Sequence, residues 1–170
     1  PLGVAALFPN VLVCTASFEA KTVKGVIRLA KAKPGQLAYA SSGNGSAQHL
    51  AGALFEVQAG VDLLHVPYKG GGPALNDVMA GQVPLFFANV ASSLGHIQSG
   101  KLRALAVTCR RRARALPEIL TMEEAGVPGY EVNEWNPVLA PSGIKPATKT
   151  ALQDALRQAL ADPEVLGRIR

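Results

Sequence analysis

The chain has 170 residues, 48% of them hydrophobic and 5% aromatic, with a formal net charge of +5 and two cysteines. That is enough apolar material for one domain with a buried core and a piece of a second. No tract is low in complexity, and the longest apolar runs are strand-sized, too short for a membrane-spanning helix. Cys14 and Cys109 lie far apart, make no metal or redox motif and read as buried thiols, with a disulfide left open. The positive balance suits an anionic partner, yet Arg110, Arg111, Arg112 and Arg114 fall in one run without an aromatic residue. Nucleic-acid surfaces interleave basic and stacking aromatic side chains. The run therefore reads as a solvated connector, and no nucleic-acid partner is expected.

In chain order, Val11-Leu12-Val13-Cys14 is an apolar run suited to a strand buried on both faces. Thr22 is placed to cap a helix with Val23, Val26, Ile27 and Ala30 inward, ended by Pro34-Gly35. Gly25 within it costs about 1 kcal/mol relative to Ala, so that helix depends on packing. Gln36–Ala40 reads as a short strand and runs into Ser41-Ser42-Gly43-Asn44-Gly45-Ser46. Ala47, Leu50, Ala51, Leu54 and Val57 then recur at helical spacing, to about Ala59. Leu63-Leu64-His65-Val66 is the next strand, followed by Pro67-Tyr68-Lys69-Gly70-Gly71-Gly72 and a helix with Pro73 in its first turn and Leu75, Val78 and Met79 inward. Pro84–Ala88 is a buried strand ending at Asn89, and Ser92, Ser93 and His96 lie on the helix after it. Leu102–Thr108 is a further strand.

Four alternations of strand and helix with short links predict βαβ units and a parallel sheet covered on both faces. Ligands of such sheets bind beyond the C-terminal ends of the strands, where the turns after Ala40, Val66 and Ala88 lie. Beyond the arginines, 122–129 reads as a short helix and turn, and 134–141 as an extended crossing segment. Pro146 opens a helix with Ala151, Leu152, Ala155, Leu156, Ala159 and Leu160 inward. Asp162-Pro163-Glu164 starts another that has barely two turns before Arg170, as expected of a truncated chain.

A strand, a glycine-rich turn and a helix start at 41–46 make an anion site, because the first-turn N–H groups are unpaired and the helix dipole favours negative charge. The same pattern also serves as a plain N-cap and turn. Other chemistries fail on residue type or spacing. Gly43-Asn44-Gly45 begins a dinucleotide fingerprint, but Gln48 holds the third glycine position and Asp62 precedes its strand. Lys69 stands before its glycines, not after them, and no serine sits in a nucleophile elbow. His49, His65 and His96 are dispersed, with no metal-ligand spacing; His65 reads as a hydrogen-bonded core histidine, whereas His49 suits either packing or a ligand. No nucleophile-and-base pair is left, only donors, which describes binding without turnover. No cofactor or metal is expected.

Five motifs then recur in order: Ala30–Gly35; Tyr39–Ser46 with His49-Leu50; Val66–Gly71; Gly100–Thr108; and Glu124-Ala125-Gly126 with Pro128-Gly129-Tyr130. Through them the sequence resembles the Bug family, the extracytoplasmic receptors of tripartite tricarboxylate transport systems. The resemblance implies an α/β fold of the periplasmic-binding-protein type II kind: a lobe with a mostly parallel sheet flanked by helices, plus a remnant of the second lobe. Residues 1–10 would end lobe one, 11–130 would form lobe two, and 131–170 would return to lobe one. The implied function is capture of a small carboxylate in an interlobe cleft, without catalysis, and delivery to membrane permease subunits from the periplasm. Residue by residue, Ser42, Gly43, Asn44, Gly45 and Ser46 would cradle a carboxylate, with His49, Tyr68, Lys69 and Asn89 nearby. Against the family pattern the chain lacks the first ligand loop, carries Ala88-Asn89 where members often have Asp, and has Asn136-Pro137 after Trp135. The alternative is an α/β nucleotide- or anion-dependent enzyme whose catalytic part is missing.

Overall fold

In the computed structural model, which describes residues 1–169, the apolar run 11–14 lies at the heart of a sheet. The chain runs β1 (Gly3–Thr15), α1 (Val23–Ala32), β2 (Ala38–Ser41), α2 (Ala47–Ala59), β3 (Leu64–Pro67), α3 (Gly71–Met79), β4 (Leu85–Asn89), α4 (Val90–Gln98), β5 (Leu102–Val107), β6 (Asn133–Val138), α5 (Pro146–Ala161) and α6 (Pro163–Ile169). It divides into two compact units, Phe8–Glu134 and a smaller one made of Pro1–Leu7 with Trp135–Arg170.

In the larger unit the strand order is β3-β2-β4-β1-β5. β2 pairs in parallel with β3 and β4. β1 is antiparallel to both of its neighbours, β4 and β5, with Leu12 opposite Phe87 and Ala106. The sheet is thus mixed: the parallel pattern read from the alternation holds for β2, β3 and β4, and β1 runs against its neighbours. A fully buried strand shows the same unbroken apolar run in either direction, so Val11–Cys14 carried no directional signal.

Alternation along the strands feeds two cores. Leu12, Cys14, Tyr39, Leu85 and Phe87 meet α1, through Val23, Val26 and Ala30, and α2, through Ala51 and Phe55. Val11, Val13, Ala40, Phe86 and Ala88 meet α3 and α4 on the opposite face, through Ala74, Leu75, Val78 and Val90. Phe87 packs edge-on against Tyr39 and tilted against Phe55, each with ring centroids 6.0 Å apart. Tyr130 closes the first core by donating its hydroxyl to Ala51 O at 2.7 Å.

The helix starts follow their sequence signals: Thr22 Oγ1 accepts from Gly25 N–H and Ser46 Oγ from His49 N–H. The buried face of α2 does not follow them. It is Gln48, Ala51, Gly52 and Phe55, whereas Leu50 and Val57 of the expected stripe are exposed. The helix has rotated because Gly52 leaves room for the ring of Tyr39; a Cβ there would overlap its Cε2 and Cζ. Residues 122–126 form a turn in place of the expected short helix, held by reciprocal bonds between Thr121 and Glu124, and 128–129 turn as expected. Cys14 and Cys109 are both free; Cys14 is buried but Cys109 only half-buried. The arginines at 110–114 are exposed, with Arg112 paired to Glu124 and Arg110 to Glu131.

In the smaller unit, Leu2 N–H donates to Val138 O at 2.8 Å and Gln153 Nε2 to Leu2 O. No residue of α5 is buried. Leu156 and Leu160 are half-covered, but Ala151, Leu152, Ala155 and Ala159 are exposed, because two strand segments and two helices offer too little surface to cover the expected face. Asp162 Oδ1 caps α6 as its sequence predicts. No described helix is long and apolar enough to cross a membrane.

Gly52→Ala is expected to destabilise the fold by about 1–3 kcal/mol through overpacking against Tyr39, despite the better helix propensity of Ala. Urea unfolding of the purified variant measures it; an unchanged midpoint contradicts the packing described.

Candidate functional site

The three turns expected to carry ligand groups follow β2, β3 and β4, which are adjacent and parallel, so the N-termini of α2, α3 and α4 open on one edge of the sheet. The first turn is held by its own side chains. Ser41 Oγ accepts from Gly43 N–H at 3.1 Å, Ser46 Oγ donates to Gly43 O at 2.7 Å, and Gly45 N–H donates to His49 Nδ1 at 3.0 Å. Gly43 and Gly45 have φ of 132° and 77°, which a side chain would strain. This leaves the amides of Asn44, Ala47 and Gln48 as donors without a partner among the described residues. The turn after β3 is docked on the first, through Tyr68 N–H to Ser41 O and Gly70 N–H to Ser42 O. Its helix, α3, has no side-chain cap, so the first amides at Gly71 and Gly72 also point outward.

Most side chains foreseen as ligand donors are turned toward the protein. Ser42 Oγ donates to Gln48 Oε1 at 2.6 Å, and the hydroxyl of Tyr68 to Asp77 Oδ2 at 2.8 Å. Asn89 caps α4 by accepting from Ala91 N–H and donates through Nδ2 to Glu134 Oε2. Lys69 is exposed on the second turn. Ser42, Gly43, Asn44, Gly45, Ser46 and His49 are thus brought together, Tyr68 and Lys69 stand beside them, and Asn89 joins them through a polar chain. That chain was not foreseen: Ser42 to Gln48, Gln48 Nε2 to Glu134 Oε2 at 3.1 Å, and Glu134 to Asn89. Gln48 stands on what the periodicity marked as an ordinary helix position, and Glu134 is 86 residues further on. No local spacing links them.

Two histidines that looked dispersed are stacked. The rings of His49 and His65 lie 4.0 Å apart at 13°, and His65 also stacks on Tyr39 at 5.0 Å. Nε2 of His65 lies 2.7 Å from Ser41 Oγ, so His65 braces the turn from below; it is hydrogen-bonded as read, but half-buried rather than part of the core. Burial, then the neighbouring His49, holds the pKa of His65 below its ordinary 6.5. Among the described residues no cluster of His, Cys, Asp and Glu is arranged to hold a metal.

Helix starts gathered along one edge of a mixed sheet, with open amides and with the Ser41–His65 pair turned to bracing the first turn, give the fold of a lobe of the periplasmic-binding-protein class. The chain belongs to the tripartite tricarboxylate transporter family receptors, whose model matches residues 3–169. It is 39% identical over 171 residues to a curated relative from Pseudomonas sp. (strain P51), the UPF0065 protein in the tcbD-tcbE intergenic region, covering 100% of this chain and 51% of that one. Among solved structures, R. palustris Rpa4515 with adipate matches with a TM-score of 0.90 at 37% identity, over 97% of this chain and 55% of that one. The periplasmic binding protein BugD matches with a TM-score of 0.90 at 34% identity, over 99% and 56% respectively. The chain thus spans about half the length of these proteins.

Because the pKa of His65 is lowered in the fold, its neutral form is the one the fold prefers. Its contribution to stability is complete above about pH 6.5 and is lost as the pH falls below that value. Urea midpoints at pH 7.5 and 5.5 are expected to differ less in His65→Gln than in the parent. Equal differences would remove His65 as the cause.

Proposed function

We propose that this chain is the anion-holding part of an extracytoplasmic solute receptor that captures a small carboxylate and passes it to membrane permease subunits. One observation carries the reading: unpartnered main-chain amides at the starts of α2 and α3 face the same edge of the sheet, on turns docked to each other. A carboxylate satisfies such donors, and both helix dipoles favour it. Ser42, Gly43, Asn44, Gly45 and Ser46 form the cradle, with His49 bracing Gly45 and Lys69 supplying charge at the rim. Tyr68 and Asn89 hold the surrounding turns through Asp77 and α4. Membership in a receptor family, and a neighbour solved with adipate, support the carboxylate as the ligand class and speak against the enzyme alternative. The family role supports the periplasm as the location and permease subunits as the partner. On the sequence reading, residues 11–130 act as the second lobe, with 1–10 and 131–170 belonging to the first.

Magnitudes set what this length of chain achieves. Hydrogen bonds to a charged group contribute about 1.5–3 kcal/mol each, and a helix terminus adds up to about 2 kcal/mol. Micromolar affinity needs about 8 kcal/mol after association costs. Two or three such contacts therefore give dissociation constants in the millimolar range. Calorimetric titration of the 170-residue chain with succinate should find millimolar binding that Gly45→Val weakens at least tenfold. Nucleotides should give no thermal stabilisation. Nucleotide stabilisation, or succinate binding indifferent to Gly45→Val, overturns the reading.

A further inference from the structure

The two stacked histidines beneath the glycine turn are joined to it by bonds of different kinds. Their ring centroids lie 4.0 Å apart at 13°, and both residues are half-buried, leaving part of each open to solvent. His49 Nδ1 accepts from Gly45 N–H at 3.0 Å, so that nitrogen carries no proton. A proton added there would face the Gly45 N–H and break the bond. His65 differs. Its Nε2 meets the Ser41 hydroxyl, which can donate to the ring or accept from it. Ser41 Oγ also accepts from Gly43 N–H and lies 3.2 Å from Gly43 O, a second acceptor for its proton. When both ring nitrogens of His65 are protonated, the hydroxyl turns to Gly43 O and the contact with the ring is kept. Two like charges at stacking distance oppose each other, so the pair takes one added proton, and that proton belongs on His65. Facing His65 are Tyr39 and Ser41 from β2 and His49 from α2. The Tyr39 hydroxyl, pushed up to about 12 by burial and then by Glu56 of α2, stays neutral. Among the described residues no carboxylate or ammonium group is paired with His65.

We propose that the His49–His65 pair takes up a proton when the glycine turn takes up a carboxylate, with His65 as the carrier, so that solute capture is proton-linked; this rests on the receptor reading above. Without an anion, burial and then His49 favour the neutral ring of His65. A carboxylate on the amides of Asn44, Ala47 and Gln48 brings negative charge to the turn that Ser41 and His49 brace. It offsets the penalty on a charged ring and raises the pKa of His65. The proton comes from solvent and rests on the ring, with Nε2–H donating to Ser41 Oγ. Linkage is reciprocal: an anion that favours the proton is itself favoured by the proton to the same factor. Affinity is therefore lowest where His65 is neutral with and without solute. It rises as the pH falls through the pKa of the bound state, and levels off below that of the free state. A rise of about one pKa unit corresponds to a limit of about tenfold in affinity. His65 touches no solute; it is a positioning residue that acts through Ser41 and the turn. Departure of the solute returns the proton to solvent.

NMR titration of the histidine Hε1 resonances from about pH 5 to 8, with saturating succinate or with sodium chloride of equal ionic strength, tests this on the 170-residue chain. The His65 midpoint should lie below 6.5 in chloride and about one unit higher in succinate. The midpoint of His96, in the last turn of α4, should not move with succinate. Triple-resonance assignment of the parent identifies the two rings, so this reading needs no variant. Succinate dissociation constants at about pH 7.5 and 6.0 supply a second one. The gain in affinity on acidification should be about threefold larger in the parent than in His65→Gln, and the protonation of succinate itself, common to both proteins, cancels in that comparison. Circular dichroism establishes that the variant is folded. A His65 midpoint that succinate leaves in place, or a gain on acidification as large in His65→Gln as in the parent, overturns the inference. The carboxylate reading then stands if succinate still binds and Gly45→Val still weakens it. Absence of succinate binding overturns both.

Discussion

Everything about the candidate site depends on the parallel seating of β2 between β3 and β4. Parallel neighbours deliver their following turns to the same edge, and each turn here starts a helix, so three sets of first-turn amides are gathered with no side chain specifying the arrangement. The turns then fasten to one another by main-chain bonds, Tyr68 to Ser41 and Gly70 to Ser42. Side chains act as braces: Ser41, Ser46 and His49 fix the shape of the glycine turn and leave other amides open. A carboxylate held here as proposed would be held by backbone geometry, since few of the nearby polar side chains are free to meet a ligand.

Beneath the turn lies a continuous column of rings, His49 on His65 on Tyr39, which meets Phe87 at the centre of the first core. Gly52 of α2 lets Tyr39 sit there. The same helix supplies the cap Ser46, the brace His49 and the network residue Gln48 from its first turn. The anchoring of α2 against Tyr39 and the shape of the glycine turn are therefore one mechanical unit.

Much of this was legible in the sequence, where information was local. Helix starts at Thr22, Ser46 and Asp162 were marked by cap residues, strands by apolar runs, and the turn at 41–46 by its glycines. What failed was non-local. The direction of β1 left no trace in Val11–Cys14, because burial on both faces erases alternation. The inward face of α2 was misjudged, since Leu50 and Val57 looked like core while Gln48 and Gly52 did not. Gln48 was selected by a hydrogen-bond chain and Gly52 by a ring on another element. Glu134 is tied to Gln48 and Asn89 only through the tertiary fold.

The position of β1 also bears on how the chain comes together. It precedes the other strands of its unit in the chain, yet its neighbours on either side are β4 and β5, and the bond from Asn10 N–H to Thr108 Oγ1 joins residues 98 apart. During synthesis four consecutive apolar residues, Val11 to Cys14, must therefore wait unpaired until most of the unit has emerged from the ribosome. Contacts of such sequence separation slow folding and lengthen the exposure of sticky segments. The strand at the centre of the finished sheet is the one most in need of protection while the sheet is being assembled.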